Sequence, residues 1–280
     1  MTVNGLKTII FRDGLAKHGH EYTQAEENMR KFIFALLGGM AVATPAMADE
    51  ANWTGPYVGV IAGWNATRSD TAATLGGAWS TEASATRTAV IDGLAARQSN
   101  NNGNIGAILG YNYQTGGIIL GLEAGASTIG GSNERVTGPI SPVGIPALNF
   151  VFSNKIDPKS LISVKARLGA AVGSHTMIYA TGGWAWVNAN HSASITSNGN
   201  YKKLGELGKT HNGFIVGAGI EHKLDSHLSI RAQYDYTDQG DVTYATAYLP
   251  GSAFTTPAYS ETLSQDLRLH LLRVGATYNF

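Results

Sequence analysis

Seven charged side chains interrupt segments that otherwise alternate between apolar and small residues. Three are acids and four are bases, and most residues that share their alternation parity are Gly, Ser or Gln. An isolated ion in an interior costs several kcal/mol, so buried charges persist only when they are paired. The pattern predicts an ion-pair network inside a closed lumen, and a narrow ion pathway through that lumen is the alternative. The predicted lumen charges are Glu123, Lys165, Arg167, Glu221, Arg231, Asp235 and Arg273.

The histidines are the next candidates for chemistry. His191 and His211 flank one long connection, and His222 and His227 bracket a short turn. No pair has the helical spacing of a metal site, and the turn "HKLDSH" is a weak metal candidate. We predict solvated loop histidines, and ligation of a haem iron by one of them is the alternative.

A catalytic site is the third candidate. His191 stands beside Ser192, but adjacent residues of a strand point to opposite faces of the sheet. Because a nucleophile needs a base within reach, we assign no catalytic residue and no cofactor, and predict that the protein is not an enzyme.

Composition indicates an all-β protein with two unlike surfaces. Charged residues are 14% of the chain, against about 25% in soluble domains. Glycine occurs 35 times, with 12 Tyr and 5 Trp, and Cys is absent, which excludes disulfides and thiolate sites. The formal net charge is +0, so no basic patch indicates nucleic-acid binding.

Eight segments alternate with period two over the length of a tilted transmembrane strand. In the fifth segment, whose two faces are both fairly apolar, we place Trp184 and Trp186 outward. The segments are GPYVGVIAGWNA, NIGAILGYNYQ, IILGLEAGA, LISVKARLGAA, MIYATGGWAWVN, GFIVGAGIEHK, HLSIRAQYDYTD and RVGATYNF.

Short and long connections alternate between these segments. The long connections are 67–103, 127–160, 189–211 and 238–266, and the short ones are a few residues each. Outer-membrane barrels have short periplasmic turns at one end and long loops at the other. The sequence therefore predicts an eight-stranded antiparallel up-and-down transmembrane β-barrel, whose lumen side chains just fill.

Three leucines depart from the polar lumen. Leu267, Leu269 and Leu271 share the inward parity of Arg273. A bulge near Leu271–Leu272 would turn them outward; the alternative is that they stand above the membrane.

Three parts of the long connections are unusual in composition. The stretches SNNNGN (99–104) and GPISPVGIP (138–146) are predicted to be solvated loops. In the last long connection, Tyr248, Phe254 and Tyr259 are predicted either to anchor a partner at the loop tip or to pack on one another.

An export signal precedes the barrel. Met29-Arg30-Lys31, the apolar run FIFALLGGMAVA and the Ala46-Met47-Ala48 site have the order of a secretory signal peptide. We predict a signal peptide over 29–48 and a barrel domain over 49–280. Residues 1–28 are interpreted as an upstream extension outside the fold, and an extended signal peptide is the alternative.

Four stretches resemble the small outer-membrane β-barrel surface proteins of Gram-negative bacteria, the opacity-protein and OmpA/OmpX-type relatives that include surface antigens and haemin-binding proteins. They are WTGPYVGVIAGW, YATGGWAW, GFIVGAGIEHKLDSHLSIRAQYDYTDQG and RVGATYNF. The resemblance implies that Tyr278 and Phe280 belong to a signal read by the barrel-assembly machinery. It also implies a location in the outer membrane, in contact with lipid and lipopolysaccharide.

The resulting functional prediction is a structural surface protein. It would stabilise the envelope and display its long loops for adhesion or for an extracellular ligand or host surface. A haemin-like ligand carrier and a narrow porin-like channel are the alternatives.

Overall fold

The structure is a computed structural model that describes residues 52–142 and 147–280. The predicted upstream extension (1–28) and signal peptide (29–48) lie outside the described residues. The strands are β1 (Gly55–Gly77), β2 (Ala96–Thr115), β3 (Ile118–Ile129), β4 (Asn133–Ile140), β5 (Phe150–Val172), β6 (Thr176–Ser197), β7 (Lys202–Lys223), β8 (Leu228–Ala245), β9 (Ala247–Tyr248) and β10 (Tyr259–Asn279).

Among the described residues, eight long strands close into a ring of antiparallel neighbours: β1, β2, β3, β5, β6, β7, β8 and β10, which returns to β1. Tyr57 pairs with Asn279, and Ile118 pairs with Ala170, where the ring closes. The short strands β4 and β9 pair with β5 and β7. The predicted antiparallel barrel is confirmed, and the described sheet has ten strands in all: the eight of the ring and the short strands β4 and β9.

Three connections are short, as predicted, and lie at one end of the barrel, which we call the short-turn end. They are residues 116–117, 173–175 and 224–227. Gly116 and Gly173 have φ angles of 56° and 69°, a left-handed conformation that glycine adopts without steric cost.

A band of exposed apolar side chains surrounds the half of the barrel next to the short-turn end. On β1 the outward residues Val60 and Trp64 are 63% and 68% exposed, whereas the inward Tyr57 is 1% exposed. Beyond Trp64 the outward face becomes polar, with Arg68 and Asp70. The alternation predicted for a strand between lipid and lumen is therefore present, and the band marks the membrane-spanning part.

The predicted long loops are wrong for most of their length, because the strands continue through them. β1 runs on to Gly77 and β2 begins at Ala96, so the Asn-rich stretch 99–104 is strand rather than solvated loop. Beyond lipid, an outward face can be polar while the backbone ladder and the buried inner face persist. A search for apolar outward residues therefore detects only the membrane half of each strand.

This barrel extension, formed by the strands beyond the apolar band, is capped by the helix α1 (Ser84–Leu94). Asn154 Nδ2 donates to the Leu94 carbonyl at 2.9 Å, and the Phe152 ring occupies the space that a Cβ on Gly93 would need. In the parts of the chain that the structure describes, no helix is both long enough and apolar enough to cross a bilayer.

Tyr248, Phe254 and Tyr259 of the last long connection are predicted either to be exposed at the loop tip or to pack on one another, and each alternative holds for some of them. Tyr248 and Tyr259 are partly buried, with ring centroids 5.9 Å from that of Tyr201. Phe254 remains 57% exposed. Packing within the extension therefore holds for two of the three residues. Of the stretch GPISPVGIP, residues 143–146 lie outside the described residues, and its first residues belong to β4.

The three inward leucines form an apolar layer inside the barrel. Leu267, Leu269 and Leu271 are fully buried and pack with Leu161 and Val187. The predicted bulge near Leu271–Leu272 is wrong, because the register shift of β10 lies between Asp266 and Arg268. The alternative position above the apolar band holds for Leu269, which pairs with Thr67 beyond Trp64. An inward apolar side chain is stable here because its neighbours across the lumen are also apolar.

Candidate functional site

The structure brings all seven predicted lumen charges together inside the membrane-spanning part. They come from β3, β5, β7, β8 and β10, and each is at most 4% exposed. Since inward parity on strands that surround one lumen directs side chains to a shared axis, charges that are far apart in sequence meet there.

Glu123 is the first centre of the network. Its carboxylate accepts from Arg231 Nη1 at 2.7 Å and from the Tyr57 hydroxyl at 2.9 Å. Lys165 Nζ lies 3.1 Å from the other oxygen, Oε1. One carboxylate therefore pairs with two cations. Tyr57 supplies a neutral donor that was not among the predicted lumen residues.

Asp235 is the second centre. It accepts from Lys165 Nζ at 3.3 Å and from Gln233 Nε2 at 2.7 Å, and it forms an ion pair with Arg273. Lys165 thus bridges Asp235 and Glu123. A Cβ on Gly217 would overlap Asp235 Oδ1, so this lumen glycine makes room for the carboxylate.

Glu221 is the third centre and pairs with Arg167. Its Oε1 also accepts from the hydroxyls of Ser229 at 2.6 Å and Thr277 at 2.8 Å. The Arg167 guanidinium lies 3.7 Å from the centre of the Tyr179 ring, a cation–π contact.

Tyr179 joins this centre to the first one, because Arg231 Nε donates to its hydroxyl at 3.1 Å. All seven charges therefore belong to one connected cluster. The neutral partners Tyr57, Tyr179, Ser229, Gln233 and Thr277 could have been found from their inward parity alone.

Trp53 covers the network at the short-turn end. It is 2% exposed and packs with Ile119 and Met177. Its backbone N–H donates to Gln114 Oε1 at 2.8 Å, and Lys223 Nζ lies 5.0 Å from its ring. Trp53 is not among the predicted lumen residues because it precedes the first alternating segment.

The prediction of solvated histidines is wrong for His191 and His211, which are 1% and 2% exposed inside the barrel extension. Their Nε2 atoms are 2.7 Å apart, and His191 Nδ1 lies 2.8 Å from Gln265 Oε1. Since an amide oxygen only accepts, His191 carries its proton on Nδ1, and His211 donates from Nε2. The prediction of solvated histidines assumed that 189–211 is a loop. His191 and His211 instead lie in β6 and β7, where their side chains face the inside of the barrel.

The remaining turn histidines agree with the prediction: His222 and His227 are exposed. In residues 52–142 and 147–280, no group of three or more His, Cys, Asp or Glu could hold a metal ion.

Tyr278 and Phe280 lie on the outer face at the short-turn end. They are 46% and 69% exposed, and their ring centroids are 5.1 Å apart. The Phe280 N–H donates to the Pro56 carbonyl at 3.0 Å, so pairing with the start of β1 continues to this residue. Recognition of these residues by the assembly machinery stays a prediction.

The first testable prediction concerns Glu123. In Glu123→Gln, Arg231 and Lys165 lose their shared anion while remaining buried, and such a loss costs about 3–5 kcal/mol. We expect denaturant unfolding of the refolded barrel, followed by Trp fluorescence, to show this decrease in unfolding free energy. Adding Arg231→Met should restore part of it, because the uncompensated charge is then removed.

The matched control is Asp70→Asn, which breaks the exposed 2.8 Å pair of Asp70 with Arg97. Exposed pairs contribute less than about 1 kcal/mol. Equal stability losses in the Glu123 and Asp70 variants would contradict a stabilising role for the lumen network.

The second prediction concerns pH. Burial lowers the pKa of His191. Burial and the electrostatic interactions with His191 and Lys209 lower the pKa of His211 to about 4. The unfolded chain, with pKa values near 6.5, therefore binds protons more readily than the folded chain. The contribution of the pair is complete above pH 6.5 and is lost as pH falls towards about 4.

We expect the temperature at which the barrel loses its folded mobility in detergent electrophoresis to fall between pH 7 and pH 5. The double variant His191→Gln/His211→Gln keeps hydrogen-bonding groups but cannot titrate, so its decrease should be smaller. Identical decreases in the two proteins would show that the histidine pair does not contribute to this pH dependence.

Comparison with known proteins agrees with this architecture. Residues 32–280 match the family model described as outer membrane protein beta-barrel domain. The 31 kDa outer-membrane immunogenic protein of Brucella melitensis biotype 1 is 27% identical over 240 residues, covering 85% of this chain and 88% of the relative. The protein of the same name from Brucella suis biovar 1 gives the same values.

Two solved structures also match most of this chain. The structure of Ail, the attachment invasion locus protein of Yersinia pestis, shares 14% identity with a TM-score of 0.34, covering 81% of this chain and 99% of that one. The outer membrane protease OmpT from Escherichia coli shares 8% identity with a TM-score of 0.37, covering 85% and 100%. The family match confirms the predicted resemblance and the predicted location in the outer membrane. This chain belongs to the outer membrane protein β-barrel domain family.

Proposed function

We propose that this outer-membrane barrel is a structural surface protein that stabilises the envelope and presents an ordered extension to an extracellular ligand or host surface. The observation that carries the proposal is the continuation of the strands beyond the apolar band. In β1, residues 66–77 add about 40 Å of extended strand. Long connections of outer-membrane barrels face the outside of the cell, so this extension projects from the membrane.

The extension is held together by a buried carboxylate. Glu261 is 0% exposed and accepts from Trp79 Nε1 at 2.6 Å, from the Tyr201 hydroxyl at 2.5 Å and from Lys203 Nζ at 2.6 Å. These contacts join the first and third long connections to β10. A rigid surface binds a partner with little loss of conformational entropy. The curated Brucella relatives are named outer-membrane immunogenic proteins, which supports display at the surface.

The partners in this proposal follow from the surfaces. The apolar band contacts outer-membrane lipid and lipopolysaccharide, Tyr278 and Phe280 are presented to the barrel-assembly machinery, and nucleic acid is not a partner. The proposal contains no catalysis: His191 is paired with His211 inside the barrel, and the neighbouring Ser192 points to the other face.

The alternatives receive less support. For a haemin-like carrier, the buried His191 and His211 are paired with each other and are not presented to solvent. For a channel, the lumen is occupied by Trp53, the charge network and the leucine layer in succession.

The third prediction tests display. Val136, Leu249 and Phe254 are apolar residues of the extension that are 62%, 36% and 57% exposed. In a deletion strain, we expect the triple serine variant to restore resistance to detergent as well as the unaltered protein does. Adhesion to polystyrene and to cultured host cells should decrease, because exposed apolar side chains at the tip are lost.

The deletion strain carrying an empty vector is the control for both measurements. If the triple variant and the unaltered protein support equal adhesion, the apolar tip is not the contact surface. If the deletion strain is as detergent-resistant as its parent, the envelope-stabilising part of the proposal is wrong.

The fourth prediction tests the filled lumen. We expect the purified barrel in a planar lipid bilayer to show no steady open channel of porin size, because paired charges and apolar side chains fill its axis. A porin reconstituted in the same way is the control, and a steady conductance of similar size for this protein would establish the channel alternative.

A further inference from the structure

A cavity of about 490 Å³ lies at the outer end of the barrel extension, well above the lumen charges. All four connections at this end contribute to its lining: Glu82 from the first, Leu148 from the second, Asn198 from the third and Phe254 from the fourth. Small-molecule sites in proteins are concave, mostly apolar and about 300–1,000 Å³ in volume. The size of this cavity therefore suits a small molecule.

Five aromatic residues line the cavity: Trp79, Phe150, Tyr201, Phe254 and Tyr259. Trp79 packs edge-on against Tyr259 and Tyr201, with centroid distances of 4.7 and 6.1 Å. Glu261 accepts hydrogen bonds from Trp79 and from Tyr201, so both rings are already held in place without a ligand. Aromatic rings have electron-rich π-faces, which attract organic cations.

Phe254 completes the rim in an unusual conformation. Its φ angle is 59°, in the left-handed region that non-glycine residues rarely adopt. The Tyr248 hydroxyl stabilises it by donating to the Phe254 carbonyl at 3.0 Å while accepting from the Tyr259 N–H at 2.8 Å. Strained backbone of this kind clusters at ligand-binding sites, and here it directs an exposed ring to the cavity.

The charge at the cavity wall is negative. Among the described residues that line it, Glu82 is the one ionisable acid or base other than tyrosine. The Tyr259 hydroxyl donates to Glu82 Oε1 at 2.6 Å, and this bond raises the pKa of Tyr259 to about 12, so the phenol stays neutral. A carboxylate beside aromatic walls favours a cation and opposes an anionic ligand.

We infer that this cavity binds a small organic cation that carries an aromatic or aliphatic ring and an ammonium group, with the ring against Trp79, Tyr259 and Phe254 and the ammonium beside Glu82. This site is separate from the lumen network. It shares Phe254 with the exposed apolar residues of the tip but does not include Val136 or Leu249.

The fifth prediction uses three probes with the same ring: phenethylamine, 2-phenylethanol and phenylacetate. Isothermal titration calorimetry on the full chain, refolded in detergent, should rank them cation, alcohol, anion in decreasing affinity. In Glu82→Gln, which keeps an acceptor for Tyr259, phenethylamine should bind about ten-fold more weakly, as for loss of a charge-assisted contact. The alcohol should be unaffected.

Two further variants distinguish the contribution of the aromatic wall from that of negative charge elsewhere on the surface. Phe254→Ala should weaken phenethylamine and 2-phenylethanol by a similar factor, because it removes ring contact without touching Glu82. Asp92→Asn removes an exposed carboxylate from α1 that does not line the cavity, and it should leave all three probes unchanged.

Folded mobility in detergent electrophoresis verifies that each variant is a barrel before titration. The proposal is overturned if none of the probes binds, if phenylacetate binds as well as phenethylamine, or if Asp92→Asn weakens the cation as much as Glu82→Gln.

Discussion

The structure depends on one constraint, that backbone polar groups within hydrocarbon must all be paired inside the protein. A closed antiparallel ring satisfies this condition because it has no edge. Here the ring closes where β10 returns to β1, from Tyr57 opposite Asn279 to Gly77 opposite Tyr259. Every other feature of the membrane half follows from this closure, since it separates each strand into a face towards lipid and a face towards the axis.

The closed ring creates an interior that must be filled. Charged groups fill it at one level, where three acids and four bases from five strands pair with one another and where Lys165 connects Glu123 with Asp235. Apolar groups fill the next level, where Leu267, Leu269 and Leu271 meet residues from β5 and β6. Both the charged level and the apolar level fill the lumen with side chains. Because they are separate layers, charged groups contact charged groups and leucines contact other apolar residues.

Above the membrane the same strands continue, but their outward face no longer has to be apolar. The outward face meets water, so it becomes polar, while the inward face remains buried. This part is stabilised by the hydrogen bonds of Glu261 and by a buried cluster that includes the aromatic residues Trp79, Phe150, Phe152, Tyr201 and Tyr244. The connections are thereby brought together at the outer end, where they form the aromatic cavity.

Much of the membrane half can be predicted from the amino-acid sequence alone. Its local period of two, with apolar residues outward and seven charges inward, is sufficient for the strands, the short turns and the closed antiparallel barrel. This period can be recognised in the sequence because every second residue of a membrane-spanning strand faces lipid and must be apolar. The requirement applies to each strand separately.

Other features are decided by contacts between distant residues and have no local signature. Gln98 and Gln265 hydrogen-bond across 167 residues, and His191 meets His211 only because two extended strands face the same axis. The leucine layer could not be assigned from parity, since an inward leucine is unfavourable among charges and favourable among other leucines. Periodicity in the sequence therefore specified which way each membrane-spanning side chain points, whereas closure of the ring specified which side chains meet, because partners across a lumen are chosen by three-dimensional register and not by spacing along the chain.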